Sequence, residues 1–176
     1  MRVACVLALV GVFACGGRDD GPRGELVDRV QDYVALRRRL EADLPPLAPG
    51  ADAEAIEKRR AALAEKLVAA SPDAHPGTIF TARVGAAVRE ELRTVLAGDD
   101  GKNARGAILD ENPDGIRVEP RRPYPEGAPL SRVPASVLAV LPPVTDDVEY
   151  RFVGRDLILR DAQANVVVDV LPDAVP

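Results

Sequence analysis

The C-terminal stretch from residue 141 to residue 171 restricts the fold more than any other part of this 176-residue chain. Residues 149–153 and 156–160 each alternate polar and apolar side chains, which is the pattern of a half-buried β-strand. Between them lies Gly154-Arg155, a Gly-X pair typical of a type II′ two-residue turn. This turn predicts five facing pairs: Val153 with Asp156, Phe152 with Leu157, Arg151 with Ile158, Tyr150 with Leu159 and Glu149 with Arg160.

The predicted register gathers the large apolar side chains of the hairpin on one face, because directly opposed residues point to the same side of a sheet. The following side chains are therefore expected to form one apolar patch: Tyr150, Phe152, Leu157 and Leu159. Glu149 and Arg160 are expected to form a cross-strand ion pair on the outer side. Such a pair contributes at most about 1 kcal/mol.

Residues 166–171 are typical of a third strand that follows the hairpin through a short connection. An odd-numbered connection would turn Asp169 onto the apolar face, so we expect an even-numbered one through residues 161–164. The even register adds three valines to the patch: Val166, Val168 and Val170. Each side chain of the patch can contribute about 1.5–3 kcal/mol on burial. Because a small sheet with one apolar face is not stable alone, another part of the chain must cover it.

The N-terminal half supplies helices that could cover the sheet, because its apolar residues recur at helical spacing. Three helices are predicted: residues 24–44, ended by Pro45-Pro46; residues 51–70, with Asp52 as N-cap; and residues 78–96, with Thr81 as N-cap and Gly98 at the C′ position. The first helix carries the basic run Arg37-Arg38-Arg39. This run could contact anionic lipid or glycan, but we expect a solvated face whose aliphatic stems lie over the core.

The remaining segments complete an α+β fold. Short strands are predicted at 104–110 and 116–119, followed by a proline-rich crossover over 120–134 and one short helix over 134–141. We therefore expect a single domain over 24–176, helical over 24–97 and mainly β over 98–176. Its N-terminal layer of about three helices would pack on a C-terminal antiparallel sheet of three to five strands.

The first fourteen residues are typical of an export signal, with Arg2 followed by an apolar run over 3–13. That run is shorter than the roughly 20 residues that a spanning helix needs. Residues 12–15, Val-Phe-Ala-Cys, resemble the lipobox of bacterial lipoproteins. The resemblance implies that residues 1–14 are a signal peptide, that Cys15 carries the lipid, and that residues 15–23 form a tether.

The expected location is therefore outside the cytoplasm, with the chain anchored to a membrane by lipid and facing the periplasm or the cell surface. An ordinary cleaved secretory signal is the alternative interpretation. Gly16 is not the aspartate that retains many lipoproteins in the inner membrane, so the resemblance favours the outer membrane. Cys5 would leave with the signal and Cys15 would carry lipid, which leaves the mature chain no thiol for a disulfide, a zinc site or a nucleophile.

Charge and aromatic content argue against nucleic acid as a partner. The mature chain of 162 residues would have 22 basic and 28 acidic side chains, a net charge of −6. Aromatic residues make up only 3% of the sequence, which leaves few side chains for stacking on bases or sugars. No cofactor motif is present, and we expect no cofactor.

A partial calcium-loop pattern lies at Asp110, Asn112 and Asp114, with Gly115 at the sharp turn. Position twelve of the loop, where a bidentate glutamate belongs, is Arg121. Asn-Pro-Asp-Gly is also an ordinary hairpin turn. We interpret the segment as a turn and keep calcium binding by the three side chains as the alternative.

Catalytic motifs are lacking: there is no Gly-x-Ser-x-Gly, no phosphate-binding glycine loop and no Cys-x-x-Cys. His75, the single histidine, has no evident partner for general-base catalysis. A carboxylate-dependent hydrolase is the remaining enzymatic alternative. It would draw its residues from six aspartates: Asp99, Asp100, Asp110, Asp114, Asp146 and Asp147.

The mature chain resembles an uncharacterised family of bacterial exported proteins, chiefly in Leu141-Pro142-Pro143, in residues 149–161 and in Val167-Val168-Asp169-Val170. The last thirty residues are also similar to the C-terminal module of small periplasmic proteins linked to nickel and cobalt homeostasis. Those proteins are typically richer in metal-binding side chains than this one-histidine chain, which argues against a transition-metal role. Neither resemblance implies an activity. We therefore expect a non-catalytic binding or scaffolding module that meets another envelope protein.

Overall fold

The computed structural model describes residues 20–112, 115–125 and 127–176. Over these residues the chain is an α+β fold, as predicted. Its elements in chain order are α1 (Pro22–Ala42), α2 (Ala53–Ala69), α3 (Ala82–Val95), α4 (Gly98–Glu111), α5 (Ala135–Val140), β1 (Val148–Val153), β2 (Asp156–Asp161) and β3 (Val166–Leu171). The three strands form one antiparallel sheet in the order β1-β2-β3.

Both predicted N-caps are confirmed. The Asp52 carboxylate accepts the N–H of Ala55 at 2.8 Å, and the Thr81 hydroxyl accepts the N–H of Val84 at 3.3 Å. Each bond satisfies one of the amides that the first turn of a helix leaves unpaired. The caps therefore fix where α2 and α3 begin.

The strand predicted at 104–110 is wrong, because this segment belongs to helix α4. Ala104 and Ile108 are four residues apart and both pack towards the core, which is helical spacing. Gly101 allows the close approach of this helix to the end of α3, since a Cβ there would lie 2.5 Å from the carbonyl carbon of Leu96. The strand predicted at 116–119 is also wrong: the segment has no strand pairing, although Ile116 and Val118 pack on the sheet.

The predicted hairpin is confirmed in every pair from Glu149↔Arg160 to Val153↔Asp156. Gly154 has φ +56°, as the first position of a type II′ turn requires, and Arg155 does not share the positive φ. The turn therefore sets the register as the sequence predicted.

The third strand departs from prediction in one place. A β-bulge interrupts the pairing of β2 with β3. Arg160 pairs with Val167 but Leu159 pairs with Asp169, which leaves Val168 of β3 without a partner in β2. Val166 and Val168 lie in the main core as predicted, whereas Val170 lies on the opposite face. The bulge adds one residue to β3, and every side chain beyond it changes face.

Both faces of the sheet are covered. The inner face packs against the helices in the main hydrophobic core, and α1 contacts both α2 and α3. The outer face packs against Ile116, Val118, Tyr124 and Ala128 in a second, smaller core. The Tyr124 N–H donates to the Asn165 carbonyl at 2.8 Å, which ties the covering segment to the edge of β3. Arg160 pairs with Glu149 at 2.5 Å as predicted, beneath the ring of Tyr124.

Candidate functional site

A buried polar cluster lies between α1 and the end of β2. Tyr33 and Arg37 are four residues apart on α1, so both side chains point to the sheet, and both reach the same oxygen of Asp161 at 2.9 Å. The other oxygen of Asp161 accepts the N–H of Ala164 at 2.7 Å. Asp161 is fully buried. Its charge is therefore balanced entirely inside the fold.

Arg37 is surrounded by acceptors. It donates to Glu41 at 2.8 Å and to Gln163, and it lies 3.3 Å from Asp147. Burial opposes its charge, but the attraction of Asp161, Glu41 and Asp147 outweighs burial and raises the pKa of Arg37. The expectation of a solvated basic face is wrong for Arg37, which is 2% exposed. This residue joins α1 to the sheet.

Asp169 forms a second buried anchor, on the residue that the bulge turns inwards. Its carboxylate accepts four backbone N–H groups at 2.6–3.0 Å, those of Gly77, Ile79, Phe80 and Val170. These bonds fix the loop that precedes α3 against β3. A carboxylate has about four acceptor positions, and all of those of Asp169 are occupied.

Arg121 is buried without such partners. Its guanidinium lies 4.5 Å from the centre of the Tyr33 ring, and its side chain is 7% exposed. The Nε and Nη1 atoms are buried, and no described residue supplies an acceptor to either. Burial lowers the pKa of Arg121, an effect that the charges of Asp169 and Asp161 offset only in part.

Two concave surfaces adjoin this region. A cavity of about 220 Å³ is lined by Arg121, Tyr33 and five further residues: Arg29, Asp32, Leu36, Thr78 and Ile79. A larger groove of about 680 Å³ runs along α2. Ala61, Ala64 and Val68 line it from the helix. The groove is within the volume range of ordinary ligand pockets.

The predicted hydrolase carboxylates lie apart. Asp99 and Asp100 are in the first turn of α4 and Asp110 is in its last, about 15 Å away along the axis at 1.5 Å per residue. Asp147 pairs with Arg37 and Arg38 beside α1, next to the exposed Asp146. Asp114 lies outside the described residues. The described members of this predicted set therefore lie at the two ends of α4 and beside α1.

The predicted calcium ligands are described only in part. Asp110 is exposed on α4, and Asp114 again lies outside the described residues. The Asn112 amide is buried, its oxygen accepting from Ser131 at 2.8 Å and its nitrogen donating to Ile108 at 2.7 Å. Within the described ranges, no three histidine, cysteine or acidic side chains are grouped as metal ligands. Calcium binding stays a prediction.

Cys15, the predicted lipidation residue, lies outside the described residues. In the part of the chain that the structure describes, no helix has the length and hydropathy needed to cross a membrane. His75 lies in the exposed loop before α3, with Nδ1 3.0 Å from the Pro76 carbonyl oxygen.

The comparisons with protein-family models, with curated proteins and with solved structures each found no match to this chain. The two resemblances that the sequence indicates therefore stay expectations. A functional interpretation has to be built from the residues of the chain itself.

Sequence reasoning missed the three residues that dominate the buried electrostatics, which are Asp161, Asp169 and Arg121. A signal was present for Asp169, because it occurs inside a strand that is otherwise valine and leucine. Asp161 gave a weaker one, because it ends a strand that also contains Asp156 and Arg160. A charged residue inside an apolar strand is rarely buried without a partner. Arg121 gave no comparable signal, since it lies in a polar, proline-rich segment.

Proposed function

We propose that this protein is an exported envelope lipoprotein whose folded domain is a non-catalytic binding or scaffolding module. The observation that carries the proposal is where the described carboxylates lie and what they contact. The buried carboxylates hold the fold together, and the described carboxylates predicted for catalysis lie at the two ends of α4 and beside α1. The N-terminal pattern that ends at Cys15 supports the anchor.

A general base needs an acceptor that can reach a substrate proton. Asp161 and Asp169 are each fully buried: Asp161 accepts from Tyr33, Arg37 and one backbone amide, and Asp169 accepts from four backbone amides. Neither carboxylate has a free position facing solvent. These two groups therefore support structure and leave binding as the function that the geometry favours.

The groove along α2 is the surface that we assign to a protein partner in the envelope. Small apolar side chains line it, including Ala61 and Ala64, and they alternate with the charged Glu57, Arg60 and Glu65. An apolar surface with a charged border is the usual composition of a protein interface. Its occupant would lie against α2 and the connection between β2 and β3, to which Ala164 belongs.

The anchor is tested by membrane fractionation and intact mass of the native chain beside Cys15→Ala. We expect a lipid-sized mass on Cys15 and membrane attachment, both lost in the variant. Cys5→Ala is the matched control, because Cys5 lies inside the predicted signal and should leave attachment unchanged. A soluble, unlipidated native chain would contradict the proposed lipoprotein.

The binding surface is tested by placing a photo-crosslinking residue at Ala61, inside the groove, and at Ala86, an exposed position of α3. In intact cells we expect a discrete adduct from position 61 that is absent from position 86. No adduct at position 61, or the same adducts from both positions, would show that the groove is not the binding surface.

A further inference from the structure

The guanidinium of Arg121 is an unusual buried charge. A buried polar group that lacks a hydrogen-bond partner raises the free energy of the fold, and a buried charge does so more strongly. Arg121 is 7% exposed, and its Nε and Nη1 atoms have no acceptor among the residues that the structure describes. The fold keeps a cation here whose hydrogen-bonding capacity is unused.

The nearest acids do not supply the missing acceptors. Asp169 already accepts four N–H groups, and Asp161 already accepts from Tyr33, from Arg37 and from a backbone amide. Both carboxylates attract the Arg121 charge through space, but neither forms a hydrogen bond with it. The hydrogen bonds of this buried cluster therefore leave Arg121 out.

The backbone holds Arg121 in this position. Its N–H donates to the Val167 carbonyl at 2.7 Å, and the Val167 N–H donates to the Arg122 carbonyl at 2.8 Å, so the segment is fixed along the edge of β3. Arg121 has φ +58°, in the left-handed region that residues with a Cβ seldom adopt. Strain of this kind persists where the surrounding structure enforces it, often at binding sites.

Arg121 also lines the 220 Å³ cavity. Tyr33, Leu36 and Ile79 supply apolar or aromatic surface, and Arg121 supplies the buried charge. Arg29 and Asp32 also line the cavity and are both exposed. The volume is roughly seven times the ~30 Å³ that a water molecule occupies in the liquid, enough for a small organic molecule.

We propose that this cavity binds a small organic carboxylate, with the anionic group on Arg121 and the apolar part against Tyr33, Leu36 and Ile79. A single negative charge fits better than a phosphate dianion, because the opposite charges of Arg29 and Asp32 offset each other and leave the lining with one net positive charge. The apolar lining selects an organic acid over an inorganic anion. The inference goes beyond the proposed function, and it holds whether or not Cys15 is lipidated.

The test uses the purified full chain and measures its melting temperature against anion concentration at constant ionic strength. The probes are sodium butyrate, sodium sulfate and inorganic phosphate, with sodium chloride as the reference. We expect a saturable rise with butyrate, because binding to the folded state raises stability. Sulfate and phosphate should give only the unsaturable rise of salts that are excluded from the protein surface.

Three variants assign the effect to the cavity. Arg121→Gln should weaken butyrate binding at least tenfold, and Leu36→Phe should do the same by filling the cavity while leaving Arg121 in place. Asp32→Asn should strengthen binding about two- to fivefold, because it removes a like charge beside the anion. Glu54→Gln, on the first turn of α2 and outside the cavity, makes the same charge change and should have no effect.

The proposal is overturned if butyrate gives no saturable shift, or if Leu36→Phe binds butyrate as tightly as the native chain and the Glu54→Gln control do. An equal response to sulfate or phosphate would identify a general anion effect and would also exclude the carboxylate site. Because Leu36→Phe retains the guanidinium, it decides the question even if Arg121→Gln fails to fold.

Discussion

The surroundings of Arg37 and of Arg121 differ sharply, although both arginines are buried and both are coupled to Tyr33. Arg37 shares its acceptor Asp161 with the Tyr33 hydroxyl, and Arg121 lies over the Tyr33 ring. Arg37 donates to three side chains, whereas Arg121 has two buried nitrogens without an acceptor in the described part of the chain.

The pKa directions show the consequence of this difference. Burial disfavours the charge of both arginines, yet nearby carboxylates outweigh burial at Arg37 and do not at Arg121. Depth of burial alone therefore does not decide whether a charge stabilises a fold. The supply of acceptors decides it.

The largest expected effect is that of Arg37→Met. The change leaves the fully buried Asp161 without its charged partner, and breaking a buried pair in this way costs about 3–5 kcal/mol. Urea unfolding measures the loss. Arg38→Met is the matched control: its side chain is 67% exposed and pairs only with Asp147, so we expect a loss under about 1 kcal/mol. Equal losses in the two variants would contradict the role of Arg37.

An intermediate effect is expected for Tyr33 at high pH. Burial, reinforced by Asp161, raises the pKa of Tyr33 above its ordinary value of about 10. Its neutral form is then favoured in the folded state, so the stabilisation is complete below about pH 10 and is lost as pH rises further. Linkage gives a slope of up to about 1.4 kcal/mol per pH unit for one such group.

Tyr33→Phe should remove the part of the fall in unfolding free energy at alkaline pH that is due to Tyr33. Urea unfolding between neutral pH and pH 11 measures this fall. At neutral pH the variant should lose about 1–3 kcal/mol, because Asp161 loses a donor. Tyr150→Phe is the comparison for the loss at neutral pH. Burial also raises the pKa of Tyr150, but its hydroxyl donates to the neutral Pro142 carbonyl and not to a buried carboxylate. An unchanged alkaline slope in Tyr33→Phe would show that Tyr33 does not stay neutral in the fold.

The smallest expected effect is that of Arg121→Met. The change gives up the contact with the Tyr33 ring, about 0.5–2 kcal/mol, but also removes a buried charge that lacks acceptors. We expect unfolding free energies within about 1 kcal/mol of the native chain in the absence of butyrate. A loss above 3 kcal/mol would mean that Arg121, like Arg37, is held by partners inside the fold.

The hairpin could be predicted from the sequence because two local signals agree. The alternation in residues 149–160 selects the faces, and Gly154-Arg155 selects the register. Helix α4 could not be predicted in the same way, since residues 98–111 are glycine-containing and polar. Its position depends on the close approach of Gly101 to the end of α3, a tertiary contact that no local pattern indicates.

The candidate site was harder to predict than the fold. Asp169 was visible in sequence as a charge within an apolar strand, but Asp161 ends a strand with two other charged residues and Arg121 comes from a crossover without periodicity. Its position follows from the pairing of residues 121–124 with the edge of β3. A site of this kind is assembled from distant segments, and only the three-dimensional structure brings them together.

The bulge in β3 changes which residues of the strand face the helices. Before it, even-numbered residues such as Val166 face the helices, and beyond it odd-numbered ones such as Asp169 and Leu171 do. Val168 has no partner in β2, so its removal would leave every cross-strand pair of β3 as it is. Among relatives of this chain, a one-residue difference in length at this point would therefore be compatible with the same fold. An added or lost residue after Asp169 would turn the inward-facing side chains beyond it away from the helices.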